Sequence, residues 1–134
     1  MAEESQSTHP NALPNYRKAV IAPEKLRDHH LNPVSARGRH KARVFKSALG
    51  FDQSNWEVLR QAILDELPYH EGVLRKQTEY GDEYTVVLLI TGPNGETSEV
   101  LTGWIIEHGL NYPHLTSARV ITQKEVGYVK YKSS

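Results

Sequence analysis

The 134-residue chain contains no cysteine. That absence excludes disulfides, thiolate metal sites, cysteine-ligated iron–sulfur clusters and a cysteine nucleophile together, and it leaves the redox compartment open. Long hydrophobic runs are missing as well: the longest uninterrupted apolar stretch is residues 86–90, far short of the ~20 residues that span a bilayer. The opening MAEESQSTHP lacks the charged-then-apolar pattern of a secretory signal, so a soluble, cytoplasmic, unprocessed chain is expected, with no membrane partner. Net charge is absent too, since 16 Lys plus Arg balance 16 Asp plus Glu. No whole-chain field therefore selects a polyanion or a lipid surface. Glycine-rich nucleotide signatures and a G-x-S-x-G elbow are lacking. Gly92-Pro93-Asn94-Gly95 sits between strand-like runs with no helix start after it, so it reads as a turn, and no cofactor is expected.

What is present suffices for one domain. Hydrophobic residues make up 38%, the low edge for globular proteins once glycine is added, which supports a modest single core. Residues 1–16 hold Glu, Ser, Thr, Asn and Pro with almost no large apolar side chains, too little burial to offset the entropy of ordering, and are expected to form a mobile tail. Residues 17–134 are expected to form the single domain. Pro23 at a first helical position, with Glu24 behind it, opens a short helix that stops at Asn32-Pro33. Ala42, Val44, Phe45, Ala48 and Leu49 recur at helical spacing, and Gly50 supplies the left-handed residue after them. Ser54 with Glu57 matches a capping box for a third helix, which carries Trp56, Leu59, Ile63 and Leu67 down one side and ends at Pro68.

Beyond Pro68 the composition shifts to Val, Ile, Thr and Tyr with period-two stretches, as a pleated sheet requires. Strands are expected over residues 73–80, 83–91, 97–107 and 114–122, with hairpins at Gly81-Asp82 and across Pro93-Asn94-Gly95, and a short edge strand at residues 128–131. The fold class is α+β: N-terminal helices packed on a C-terminal antiparallel meander of about four strands.

Charge is unevenly spread despite its zero sum. Arg37, Arg39, Lys41, Arg43 and Lys46 are five cations within ten residues that contain no acid, whereas residues 52–83 hold eight acids against three bases. A basic segment attracts phosphates through counterion release, and His40 within it brings an imidazole, the side chain type that titrates near neutral pH. The plainer reading is the solvated face of an amphipathic helix. The chain has seven histidines, but Asp28-His29-His30 offers only adjacent side chains and not the i, i+4 spacing of a metal site, so no metal is expected. His29 and His30 read as helix C-terminal residues placed against the dipole, and His108 and His114 as loop residues. In the sheet, Thr102 and Trp104 share one face by alternation, as do Ser117 and Arg119.

The stretch Gly38-Arg39-His40-Lys41-Ala42-Arg43-Val44-Phe45 with Ser47-Ala48-Leu49-Gly50-Phe51, then Asn55-Trp56 and Leu59, resembles a known family. The likeness continues through Thr91-Gly92-Pro93-Asn94-Gly95, Thr102-Gly103-Trp104-Ile105-Ile106 and Leu115-Thr116-Ser117-Ala118, so that it covers residues 19–120. The family is a bacterial domain of unknown function, widespread in cyanobacteria, whose members also occur as C-terminal modules of polymorphic toxins. Its order of elements is similar to that of the ribonuclease-toxin superfamily that groups barnase, EndoU, the tRNA-cleaving colicins and RelE, a fold-level analogy.

The resemblance implies a metal-independent endoribonuclease that activates a ribose 2′-hydroxyl against the adjacent phosphate. On that reading His40 is the acid or base, Lys41, Arg119 and Thr102 complete the catalytic set, and Arg37, Arg39, Arg43, Ser117 and Trp104 bind substrate. Tyr84 or Trp104, if exposed, would stack a base. The implied partners are RNA, tRNA included, and a cognate antitoxin or immunity protein. Two rival readings stand beside it: a non-catalytic interaction module of the immunity or antitoxin kind, and a nucleic-acid-binding domain without turnover.

Overall fold

A computed structural model describes residues 7–121. Three helical segments precede a four-stranded sheet: α1 (Pro23–Lys25), α2 (Arg39–Leu49), α3 (Trp56–Glu66), β1 (Gly72–Gln77), β2 (Gly81–Thr91), β3 (Thr97–Glu107) and β4 (His114–Val120). The sheet is antiparallel in the order β1-β2-β3-β4, the expected meander. The architecture is α+β. The expected edge strand at residues 128–131 lies outside the described residues.

Each helix is bounded by local chemistry. α1 begins on Pro23 at its first position and widens into a π-turn, Leu26–His30, closed by the Leu31 N–H reaching back to the Leu26 carbonyl at 2.9 Å. α2 ends at Gly50 (φ 84°), whose N–H reaches the carbonyls of Lys46 and Phe45, a left-handed position that suits glycine. The start of α3 differs from expectation. Asp52, not Ser54, makes the reciprocal cap: its carboxylate accepts from the Ser54 N–H at 2.9 Å and from the Ser54 hydroxyl at 2.6 Å, while the Asn55 side chain accepts from the Asp52 N–H at 2.8 Å. A single 3₁₀ turn, Gln53–Asn55, therefore precedes the α-helix.

The core lies between the helices and one sheet face. Phe45 and Leu49 of α2 and Leu59 and Ile63 of α3 meet Val86, Leu88, Ile90, Val100, Trp104, Leu115, Ala118 and Val120. The segment expected as a tail carries structure from His9 onward. Its N–H bonds to the Pro68 carbonyl, the Asn11 carbonyl accepts from the Gly72 N–H, and Leu13 is buried in the core. One large apolar side chain with two backbone tethers is enough to fix this stretch, and composition averaged over sixteen residues hides it. β1 stops at Gln77 instead of Tyr80 because the Thr78 hydroxyl accepts from the Tyr80 and Gly81 N–H groups and closes the turn. No helix among the described residues is long and apolar enough to cross a membrane.

Candidate functional site

Strand alternation sends the polar residues of β3 and β4 to opposite faces. Thr102 and Trp104 point into the core, at 0% and 1% exposure. The Trp104 indole Nε1 donates to the Thr102 hydroxyl at 2.8 Å, and that hydroxyl donates to the Val86 carbonyl at 2.8 Å. Neither side chain is open to a solute, so the structure gives Trp104 no base to stack and Thr102 no phosphate to meet. Both faces of this arrangement were visible as alternation, but which face turns inward is decided by the helices.

Ser117 and Arg119 occupy the outward face, because Ala118 and Val120 between and beyond them are buried in the core. A bulge sharpens this face. The register passes from Gly103↔Ser117 to Trp104↔Leu115, so Thr116 and Ser117 both stand opposite Gly103. A Cβ on Gly103 would lie 2.6 Å from Ser117 Oγ and 3.0 Å from Thr116 Oγ1. Two hydroxyls thus converge over a position that has no side chain of its own.

The α2 helix packs chiefly on β4, the edge strand, and brings its first turn to that edge. Lys41 is half-buried there, and burial first, then the charge of Arg119, holds its ammonium below the ordinary lysine value. Residues far apart in sequence therefore come within electrostatic reach of one another. Arg37, Arg39, His40 and Arg43 are exposed around them, and no side chain caps the helix at Gly38. Of the residues the sequence singled out, Lys41 and Arg119 come within electrostatic reach of one another, with His40 next to Lys41 in the chain and Ser117 two residues from Arg119 on the outward face, whereas Thr102 and Trp104 are buried on the face that the helices cover.

A family model, Domain of unknown function (DUF6883), matches residues 12–122. The chain belongs to this family. No curated protein and no solved structure matches it. The DUF6883 span begins at Ala12, beside the buried Leu13 that ties the N-terminal segment to the core.

One residue of this DUF6883 domain was not signalled by spacing. His30, at the end of the π-turn, is 2% exposed; neither ring nitrogen makes a hydrogen bond of full geometry, although the Thr116 backbone lies close enough to act as an acceptor. Burial is the largest of the causes that lower its pKa to about 4; Lys41, His29 and Lys25 add to the shift, and the Thr116 backbone opposes it. His30 therefore lies beneath the bulge whose hydroxyls face outward and within reach of the charge on Lys41. In sequence it is one of two adjacent histidines at a helix end. The π-turn that buries one and leaves its neighbour half-exposed has no simple periodicity to reveal it.

Three further histidines have local partners. His70 Nε2 lies 2.7 Å from Glu66 Oε1, His108 Nε2 3.0 Å from the Thr78 carbonyl, and His114 Nε2 3.3 Å from the Glu107 carboxylate. Among the described residues no group of three His, Asp or Glu side chains is placed to hold a metal.

Proposed function

We propose that this DUF6883 domain is a metal-independent endoribonuclease of the toxin type, acting at the edge where α2 meets β4. The observation that carries the reading is the half-buried ammonium of Lys41, whose charge is disfavoured by burial and by Arg119 of β4, the strand that also carries the Ser117 and Thr116 hydroxyls over Gly103. A partly buried ammonium is stabilised by an anion, and a phosphodiester is the anion that the surrounding Arg37, Arg39 and Arg43 would also attract.

Transphosphorylation suits such a site. A base takes the ribose 2′-proton, O2′ attacks phosphorus, and the 5′-oxygen leaves with a proton from an acid, giving a 2′,3′-cyclic phosphate. The protein must supply proton transfer and cations for the charge that develops on the phosphoryl oxygens. Lys41 and Arg119 serve the second need. His40, exposed in the first turn of α2 beside Lys41, serves the first, and Ser117 donates to a phosphate oxygen. RNA, tRNA included, is the substrate class, and a protein that covers this basic edge is the natural inhibitor.

Incubation of the wild type and His40→Ala with total cellular RNA in EDTA tests the reading. The expected result is discrete fragments ending in cyclic phosphate, with the rate lowered in His40→Ala by about 10²–10⁴-fold, the usual worth of a general acid or base. Intact RNA bound in a salt-dependent manner overturns catalysis in favour of a nucleic-acid-binding domain. Intact RNA without binding favours the protein-interaction module.

A further inference from the structure

The start of β4 carries a cavity of its own. The chain just before α1 runs beside the edge of that strand: the Val20 N–H donates to the Pro113 carbonyl at 2.9 Å, the Leu115 N–H donates to the Val20 carbonyl at 3.0 Å, and Val20 and His114 form an isolated parallel bridge. The loop that leads into β4 is held from another side by Asn15, whose side-chain amide donates to the Asn111 carbonyl at 2.7 Å. Asn15 itself takes a left-handed conformation (φ 56°), which asparagine tolerates better than most residues. These ties fix the walls of a cavity of about 240 Å³.

Its lining divides by chemistry. Val20 and Leu110 are large apolar side chains, yet they are 44% and 40% exposed at this cavity. Tyr112 and His114 meet at 48° with ring centres 6.2 Å apart, an aromatic corner. Glu107 at the end of β3 and Lys25 in α1 add one charge of each sign. His114 Nε2 lies 3.3 Å from a Glu107 carboxylate oxygen without hydrogen-bond geometry, so the carboxylate keeps lone pairs for a further donor. The volume falls below the roughly 300–1,000 Å³ of pockets that enclose drug-sized ligands, which limits the occupant to one ring system. A flat ring with apolar faces and N–H donors on its edge matches this lining, and a nucleobase is such a ring.

We infer that this cavity is a nucleobase subsite: the base lies against Tyr112 and His114, is flanked by Val20 and Leu110, and donates an edge N–H to the Glu107 carboxylate, while Lys25 attracts the phosphate side of the nucleotide. The inference deepens the reading of the α2–β4 edge as an RNA-cleaving site, and rests on that reading for the source of the base. His114 and the Thr116 and Ser117 hydroxyls belong to one strand, two to three residues apart, about 7–10 Å at the rise of a strand. That is the scale of the separation between a base and the phosphate of the same nucleotide. Glu107 then acts as a specificity residue, because an ionised carboxylate only accepts hydrogen bonds and so favours bases whose edge carries donors. No covalent step is added.

The test is an NMR titration of the full chain with each of the four ribonucleosides, which carry no phosphate and so report on the cavity by itself. The ring-proton signals of His114 and Tyr112 are followed. The expected result is saturable movement of both rings with at least one nucleoside. In Glu107→Gln the affinity for the best-bound nucleoside falls by about tenfold or more, the loss that follows removal of a hydrogen bond to a charged group. Glu107 is partly exposed and the change keeps its shape, so this variant folds as the wild type does. Leu110→Trp, placed at an exposed position of the lining, fills the cavity and abolishes the movement without changing thermal unfolding.

Rings that no nucleoside moves overturn the inference, and so does an affinity unchanged in Glu107→Gln. The 3′-monophosphate of the best-bound nucleoside separates the two sources of a base. Binding about tenfold tighter than the nucleoside assigns the cavity to a nucleotide whose phosphate reaches the hydroxyls and cations along β4, and equal binding assigns it to a free nucleoside, both in support. The nuclease reading fails separately. RNA left intact in EDTA by a protein that binds nucleosides overturns cleavage and keeps the inference, and cleavage by a protein whose His114 and Tyr112 rings stay unmoved does the reverse.

Discussion

Thr102 and Ser117 are both hydroxyl residues on neighbouring strands, one turned toward the helices and one away from them. On the inward face the hydrogen bonds are complete: Thr102 accepts from Trp104 and donates to Val86, and nothing is left for a solute. On the outward face Ser117 shares a notch with Thr116 over Gly103, and Arg119 follows two residues on, at the edge that Lys41 approaches. Similar residue types thus serve packing on one side and present converging polarity on the other. The difference teaches that a polar side chain in a strand is read by whether its partners are already satisfied. His30 breaks the pattern. It and Thr102 are the buried polar residues among those described, and where Thr102 has its hydrogen bonds made, the His30 ring has only the Thr116 backbone beside it, short of full hydrogen-bond geometry.

Protonation of His30 separates these two buried groups most strongly. Its pKa is about 4 in the folded chain against an ordinary 6.5, so between those values the unfolded chain binds more protons than the folded one. Stability therefore rises with pH across that window: the contribution is fully present above pH 6.5 and is lost progressively as pH falls toward 4, with a span on the order of 3 kcal/mol. Urea unfolding at a series of pH values measures it, and His30→Leu should flatten that part of the curve. A wild-type curve already flat between pH 6.5 and 4 would mean that the imidazole finds partners in solution and that the contrast with Thr102 is false.

Thr102→Val tests the inward face by itself. The change keeps the side chain's volume and β-branching, deletes the donor to Val86 and strands the Trp104 indole N–H in the core. The expected cost is about 1–3 kcal/mol in chemical denaturation, with RNA cleavage per folded molecule unchanged. A stable Thr102→Val protein with lost activity would move the site to the inward face.

The elements were more legible than the site. Residues 97–107 form a strand with both ends where composition and the Asn94-Gly95 turn place them, and Gly50 ends α2 as expected, because these boundaries are set by local chemistry. The bulge at Thr116 is not local: it is the sheet's accommodation of two residues against one, and it is what puts two hydroxyls over Gly103. Alternation paired Thr102 with Trp104 and Ser117 with Arg119, while the choice of inward face depended on which side α2 and α3 cover. The basic run of α2 was evident, and so was the value of an imidazole near it. That His30 would be drawn under β4 while His40 faces solvent rests on a π-turn and on the close approach of Gly38 to the His29 carbonyl, which leaves no room for a Cβ, neither of which composition records.

The finest discrimination between the two faces comes from Gly103→Ala, because the added methyl points only outward. It would lie 2.6 Å from Ser117 Oγ and 3.0 Å from Thr116 Oγ1. Both are terminal atoms of short side chains that turn aside by rotation about one bond, and Gly103 is not among the glycines with positive φ. The backbone therefore accepts alanine. Stability should change by no more than about 1 kcal/mol, part of any strain being offset by the reduced entropy of the unfolded chain. Function should respond more: with Ser117 Oγ displaced from the notch, RNA cleavage in EDTA should fall by about tenfold, the loss that follows removal of one neutral hydrogen bond. Thermal unfolding and cleavage measured on the same preparation decide the matter. Loss of several kcal/mol would mean that the outward face is packed as tightly as the inward one, and full activity with an unchanged melting temperature would remove the notch from the site and leave the cations of α2 and β4 to act without it.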